Sequence, residues 1–256
     1  MTALRTKFDR QFWTRWLPAG WEQDTFDFVD EHVRPGVAFI DIGTWIGPIS
    51  LYAAASGARV IALEPDPVAY HSLVANVALN EGLLPGSIQV LQQAFDAKPG
   101  EVKIFGNHKG VGTSGSSSIG SGWRSVTVQA CTAEDLIEMA GNGPAVLKVD
   151  IEAHEYFCGP QLAQLRRALD APMNLSVHPS LLQKSRGWKV WKPRGPNEAE
   201  TLQRTRDLLD GFGDCDLKAT NAPFSLDGEA LRQRLLPLTG KALEFTVVAT
   251  TSLSAT

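Results

Sequence analysis

Cysteine is scarce in this chain, with three in 256 residues. Cys131, Cys158 and Cys215 stand far apart and form no C-x-x-C pair. That spacing argues against a disulfide framework and a structural zinc site, and fits a reducing compartment. Long apolar runs are lacking too, since no stretch approaches the roughly 20 residues a membrane helix needs. Met1 to Arg10 is polar and has no signal-peptide core. These absences lead to the expectation of a cytoplasmic protein without a membrane span. Nor is there an excess of positive charge. With 24 basic and 28 acidic residues the net charge is −4, so no global field attracts phosphates and nucleic acid is not an expected partner.

Hydrophobic residues make up 43% of the chain and charged residues 20%, ordinary values for a globular protein. The length is enough to bury a core without disulfides or metal, and a single domain over residues 1–256 is expected. Residues Phe8 to Val33 read as an N-terminal helical segment (within 1–36) carrying Phe12, Trp13, Trp16, Trp21, Phe26 and Phe28. Short apolar runs then alternate with helical stretches. Val37–Ile42, Arg59–Leu63, Ile88–Gln92, Ala145–Asp150 and Met173–Val177 read as buried strands. Ile49–Ala55, Pro67–Asn80, Thr132–Ala140, Gln161–Leu169 and Asn197–Gly211 read as helices. Glu101–Phe105 and Ser125–Ala130 read as paired strands around a Gly/Ser-rich stretch. Cys215–Ala219 and Glu244–Thr250 read as late strands. Buried strands alternating with helices imply βαβ units and a parallel sheet covered on both faces, an α/β fold. Ligands of such sheets bind at the carboxyl ends of the strands.

Those ends are acidic. The first strand ends at Asp41, within Asp41-Ile42-Gly43-Thr44-Trp45-Ile46-Gly47. The second ends at Glu64-Pro65-Asp66, and the fourth at Asp150, with Glu152 and Glu155 beyond it. Gly43 and Gly47 allow a tight turn and a close approach by a ligand. Glu64 follows Gly43 by 21 residues, near the ~20-residue spacing at which a carboxylate reaches the hydroxyls of a ribose. This describes a nucleoside site, for which NAD competes. The Gly-x-x-x-Gly pattern lacks the G-x-G-x-x-G that cradles a pyrophosphate, and Asp41 would place negative charge beside it. A ligand with an ammonium and a sulfonium suits Asp41 instead. S-adenosylmethionine is such a ligand.

Phe39-Ile40-Asp41-Ile42-Gly43-Thr44-Trp45-Ile46-Gly47, Ala62-Leu63-Glu64-Pro65-Asp66-Pro67 and Leu73-x-x-Asn76-x-x-x-Asn80 resemble the FkbM family of methyltransferases. Leu147-Lys148-Val149-Asp150-Ile151-Glu152-Ala153-His154-Glu155 is similar to that family's Lys-x-Asp-x-Glu-Gly-x-Glu signature. The likeness runs from about Trp21 to Pro179. It implies a Rossmann-like class I methyltransferase fold, with a seven-stranded, mostly parallel sheet whose last strand is antiparallel. It also implies O-methylation of a sugar, glycan or natural product. Three departures stand out. Thr44-Trp45 replaces Ala-Asn, Ala153 replaces the signature glycine, and Ser176-Val177-His178-Pro179 replaces Glu-x-His-Pro.

The expected cofactor site comprises Asp41, Gly43, Thr44, Gly47, Glu64, Asp66, Asp96 and Asp150, with Asp96 either accepting from the adenine amine or merely closing a turn. His178 and Asp150 are the expected catalytic pair. His178 ends the fifth strand and has a pKa suited to a base, and His154 is its rival. No metal is expected, because alternate residues of a strand point to opposite faces and Asp150 and Glu152 should diverge. Residues 179–196, which include Arg186-Gly187-Trp188-Lys189-Val190-Trp191-Lys192, and residues 222–240 are candidate substrate-side loops. The alternatives are an NAD-linked oxidoreductase or epimerase, and a nucleoside-binding protein without catalysis.

Overall fold

Five-residue apolar stretches, too short for helices and rich in β-branched side chains, make the centre of the molecule. The computed structural model describes residues 10–105, 125–184, 196–220 and 245–251. Within them β1 (Ala38–Ile42), β2 (Arg59–Leu63), β3 (Ser87–Leu91), β7 (Ala145–Val149), β8 (Met173–Val177), β9 (Cys215–Ala219) and β10 (Phe245–Thr251) form one sheet, in the order β3-β2-β1-β7-β8-β10-β9. All pairs are parallel except those of β10, which runs antiparallel to both β8 and β9. This is the Rossmann-like methyltransferase fold expected above, down to the single reversed strand.

Alternation along β1 divides the core. Ala38, Ile40 and Ile42 join an apolar cluster on one face, whereas Phe39 packs into a second cluster on the other. α1 (Gln23–His32) precedes β1, and α2 (Pro48–Ala55) and α3 (Pro67–Leu79) follow β1 and β2 in βαβ fashion. α2 and α3 both start with proline, where a missing N–H costs no helical bond. α4 (Ala133–Ala140) begins with a capping box of Thr132 and Asp135, and α7 (Glu198–Asp210) with one of Asn197 and Glu200. α5 (Glu155–Leu169) starts six residues before the expected Gln161, because the chain tolerates a kink at Cys158 ahead of Pro160.

Three further features were not foreseen. Phe8–Val33 is not one helix, since short turns at Phe12–Trp16 and Leu17–Ala19 end at Gly20 before α1 begins. β4 (Gln93–Phe95) joins β6 (Ser125–Cys131) and β5 (Glu101–Phe105) in a separate three-stranded sheet. α6 (Pro179–Lys184) follows β8. Most of the 179–196 loop and all of 222–240 lie outside the described residues.

Two directions of sheet growth meet at β1. β2 and β3 extend to one side, and β7 and β8 to the other. The helices diverge there and leave a crevice beyond the carboxyl ends of β1, β2 and β7. No helix among the described residues is long and apolar enough to cross a membrane.

Candidate functional site

A cavity of about 220 Å³ opens in this crevice. Its floor is the turn after β1. Gly43 and Thr44 donate their N–H groups to Leu63 O at 3.0 and 3.1 Å, and the Thr44 hydroxyl donates to Asp41 O. Gly43 has φ +83°, and a Cβ there would lie 1.8 Å from the Asp150 carbonyl oxygen. The close approach that glycine permits here is to the backbone of Asp150, just after β7. Gly47, at φ +93°, meets Leu73 in the same way, and the Asn76 amide donates to Ile46 O at 3.0 Å. The Leu73-x-x-Asn76 motif thus braces the turn from α3.

Trp45 occupies this turn with φ +53°, a conformation costing a bulky residue about 1–2 kcal/mol. Asparagine, usual at this position in the family it resembles, tolerates that backbone. Trp45 gains contacts instead. Its ring lies 4.8 Å edge-to-face from Phe12 and 6.1 Å from Trp21, so the N-terminal turns form an aromatic wall of the cavity.

Glu64 stands opposite. One carboxylate oxygen accepts from Trp45 N at 2.7 Å, the other from Asp66 N at 2.8 Å. It is nearly buried, and desolvation pushes its pKa up to about 7 against the lowering effect of those two bonds. It lines the cavity.

The other rim is an ionic chain. Asp41, on β1, lies beside Lys148 in the β1–β7 register, so both side chains leave the same face of the sheet. Lys148 Nζ sits 3.3 Å from Asp41 Oδ1, donates to Gly43 O at 2.8 Å and lies 3.9 Å from Asp150 Oδ2. Burial alone would lower its pKa; Asp41, Asp150 and Glu22 outweigh burial and hold Lys148 charged. Beyond β7, His178 Nε2 lies 3.3 Å from Asp150 Oδ1, and Nδ1 lies 3.2 Å from Glu155 Oε1. Glu155 Oε1 also accepts from His178 N at 2.8 Å. Burial would depress the His178 pKa, but Glu155, Asp150 and Glu152 override it and push it up to about 10. The carboxylates around it favour the charged form of the ring. The expectation of a base with an ordinary histidine pKa is corrected, because three carboxylates surround the ring.

Of the expected cofactor residues, Gly43, Thr44, Glu64 and Asp150 line the cavity, as does His178. Asp41 does not. It is wholly buried, bonded by Ser50 at 2.7 Å and neutralised by Lys148, so it cannot meet a ligand's ammonium directly. Gly47 and Asp66 are also set back: Gly47 caps α2, and the Asp66 carboxylate accepts from Val68 N and Ala69 N at the start of α3. Asp96 turns away to its own loop, accepting from Ala97 N and lying 3.6 Å from His154. Gln93, Ala94 and Phe95 line the cavity in its place. They were missed because a three-residue strand leaves no periodic signal. Lys148 was legible only as part of a signature, although its register with Asp41 assigns it a partner.

The geometric ground for excluding a metal also fails. β7 ends at Val149, so alternation no longer applies to Asp150 and Glu152. Glu152 (φ +53°) and Ala153 (φ +72°) turn the chain back, and donor atoms of Asp150, Glu152 and His178 lie within 4.8 Å of one another. The glycine of the resembled signature falls at this left-handed position, now occupied by Ala153.

No protein-family model matches the chain, and no curated protein matches it. Among solved structures it is similar to SMU.1697c from Streptococcus mutans in complex with SAH, at 8% identity over 90% of this chain and 97% of that one, with a TM-score of 0.47. It is similar to precorrin-6y C5,15-methyltransferase from Geobacter metallireducens, at 9% identity over 98% and 97%, with a TM-score of 0.45. An rRNA methylase from Streptococcus thermophilus is 9% identical over 89% and 94%, with a TM-score of 0.44. The strand order and its reversed last strand, rather than these distant likenesses, carry the fold assignment.

Proposed function

We propose that the chain is an S-adenosylmethionine-dependent methyltransferase resembling the FkbM family, and that it methylates a hydroxyl of a small molecule or glycan. The observation that carries this is Glu64. It is a nearly buried carboxylate at the end of β2, fixed by two backbone amides and facing the Gly43 turn across the cavity. Ribose hydroxyls would take its free lone pairs, and Gly43 and Thr44 would flank the methionine portion. Asp150 and His178 then stand on the acceptor side.

NAD fits less well. A diphosphate needs free N–H groups at the start of α2, but Pro48 supplies none and the Trp45 N–H is taken by Glu64. A small or glycan acceptor is favoured over nucleic acid, since Glu22, Glu64, Asp150 and Glu152 line the cavity while Lys148 is saturated. No step of this reading uses a metal, since the protein's part in methyl transfer is to align acceptor, methyl and sulfur. Chelation should therefore leave turnover unchanged, and a loss restored by magnesium would contradict this. The direct test is calorimetric titration with S-adenosylhomocysteine and with NAD, followed by labelled methyl transfer to candidate acceptors. Binding of NAD alone would overturn the proposal.

A further inference from the structure

S-adenosylmethionine carries an ammonium group, and Asp41, which the sequence pattern suggests as its partner, is already engaged. It is wholly buried, bonded by Ser50 and neutralised by Lys148. The positive end of the ligand therefore needs another carboxylate on the cavity wall. Among the described residues the acids lining the cavity are Glu22, Glu64, Asp150 and Glu152. Glu64 is fixed at the ribose end by two backbone amides. Asp150 lies 3.3 Å from His178 Nε2 and 3.9 Å from Lys148 Nζ, and the turn after β7 brings Glu152 to the same group. Glu22 comes from a different part of the chain.

Local structure alone does not account for glutamate at this position. Glu22 immediately precedes α1 with φ +45°, a left-handed backbone that disfavours any residue with a Cβ. Its side chain makes no capping hydrogen bond to the helix it precedes, the task for which Ser, Thr, Asp or Asn is suited there. What places Glu22 is its neighbour. Trp21 packs edge-to-face on Phe12 at 4.8 Å and lies 6.1 Å from Trp45, so the aromatic wall seats Trp21 against the turn after β1. Glu22 is the next residue, half-buried, and lines the same cavity as Gly43, Thr44 and Trp45. Its charge reaches Lys148, where it acts less strongly than those of Asp41 and Asp150. A side chain held on a costly backbone at a cavity wall, and not used by its own helix, points to a task in the cavity.

Resting on the methyltransferase reading, we propose that Glu22 is the carboxylate that binds the ammonium group of S-adenosylmethionine, in the role that burial denies to Asp41. In that reading Gly43 and Thr44 flank the methionine portion. Trp45 follows them directly and is in ring contact with the residue before Glu22. An ammonium held there meets a carboxylate for its charge, while the rings of Trp21 and Trp45 exclude water and so strengthen the pairing. Glu22 makes and breaks no bond in methyl transfer; it selects the donor and fixes its amino-acid end.

The test is calorimetric titration of the full chain with S-adenosylhomocysteine and with its desamino analogue, which keeps the nucleoside, the thioether and the carboxylate and lacks only the amine. Native protein should prefer S-adenosylhomocysteine by about tenfold or more, as a hydrogen bond between two charged groups provides. In Glu22→Gln, which keeps the side chain's shape but not its charge, that preference should fall to about twofold or less, with affinity for the desamino analogue unchanged. Glu22→Gly suits the left-handed backbone, removes the carboxylate without strain and should read the same. A native protein without the preference overturns the proposal, and that measurement needs no variant. So does a variant that keeps the preference in full. Equal weakening of both ligands in the two variants overturns it as well, because that marks a role in the cavity wall alone. Native protein that binds neither ligand overturns the underlying methyltransferase reading, and this proposal with it.

Discussion

Beside β2, the cavity's polar side chains are held by backbone amides. At the β7–β8 end they are held by one another, across segments distant in sequence. Glu64 takes N–H groups from Trp45 and Asp66, and Asp66 caps the helix that begins one residue later. Asp41, Lys148, Asp150, His178 and Glu155 instead alternate in sign along the rim, from β1 through β7 to β8 and α5. A backbone-held carboxylate stays put when its neighbours change. An ionic chain does not, because removing one member leaves the next buried and uncompensated. The two ends should therefore respond differently to substitution.

The largest effect is expected at Lys148. Lys148→Met keeps the volume but leaves Asp41, wholly buried, with Ser50 as its one side-chain partner among the described residues. Loss of stability should be about 3–5 kcal/mol, the range for breaking one side of a buried pair, read by denaturant unfolding. A loss below about 1 kcal/mol would mean that Asp41 does not depend on Lys148. At the other end, Glu64→Ala should weaken S-adenosylhomocysteine binding by about 1.5–3 kcal/mol through two lost charge-assisted bonds. Unfolding free energy should move less than for Lys148→Met. Unchanged affinity in a folded variant would take Glu64 out of the site.

The smallest effect should be a gain. Ala153 holds φ +72° where glycine carries no Cβ penalty. Ala153→Gly should stabilise the protein by about 0.5–1 kcal/mol, the strain relieved less the entropy glycine adds to the unfolded chain. A loss in melting temperature would show that the turn is not strained.

The same contrast explains what was legible in the sequence. Strand limits at Arg59–Leu63 and Met173–Val177, the proline-started helices and the placement of Glu64 at the cavity follow from local pattern. They depend on apolar runs, fixed φ and a loop-length spacing. The burial of Asp41 beside Lys148 was not legible, because its partner lies more than one hundred residues along the chain and only strand order brings the two together. His178 does follow a strand, yet its environment depends on Glu155, read only as an acid beyond the fourth strand when α5 was expected to begin at Gln161. The metal argument failed for a related reason. One residue of strand, Asp150, separates side chains that alternate from side chains that converge.

The most direct test of the central claim is the pH dependence of S-adenosylhomocysteine binding. Free Glu64 titrates at about 7, raised by burial. Ribose hydroxyls donate to the charged form, so binding lowers that pKa and affinity must rise with pH up to about 7, then level off. The slope below the midpoint should approach tenfold per pH unit in the native protein and vanish in Glu64→Gln. A native affinity that is flat from pH 5.5 to 8, or binding of NAD in place of S-adenosylhomocysteine, would contradict the assignment of this cavity.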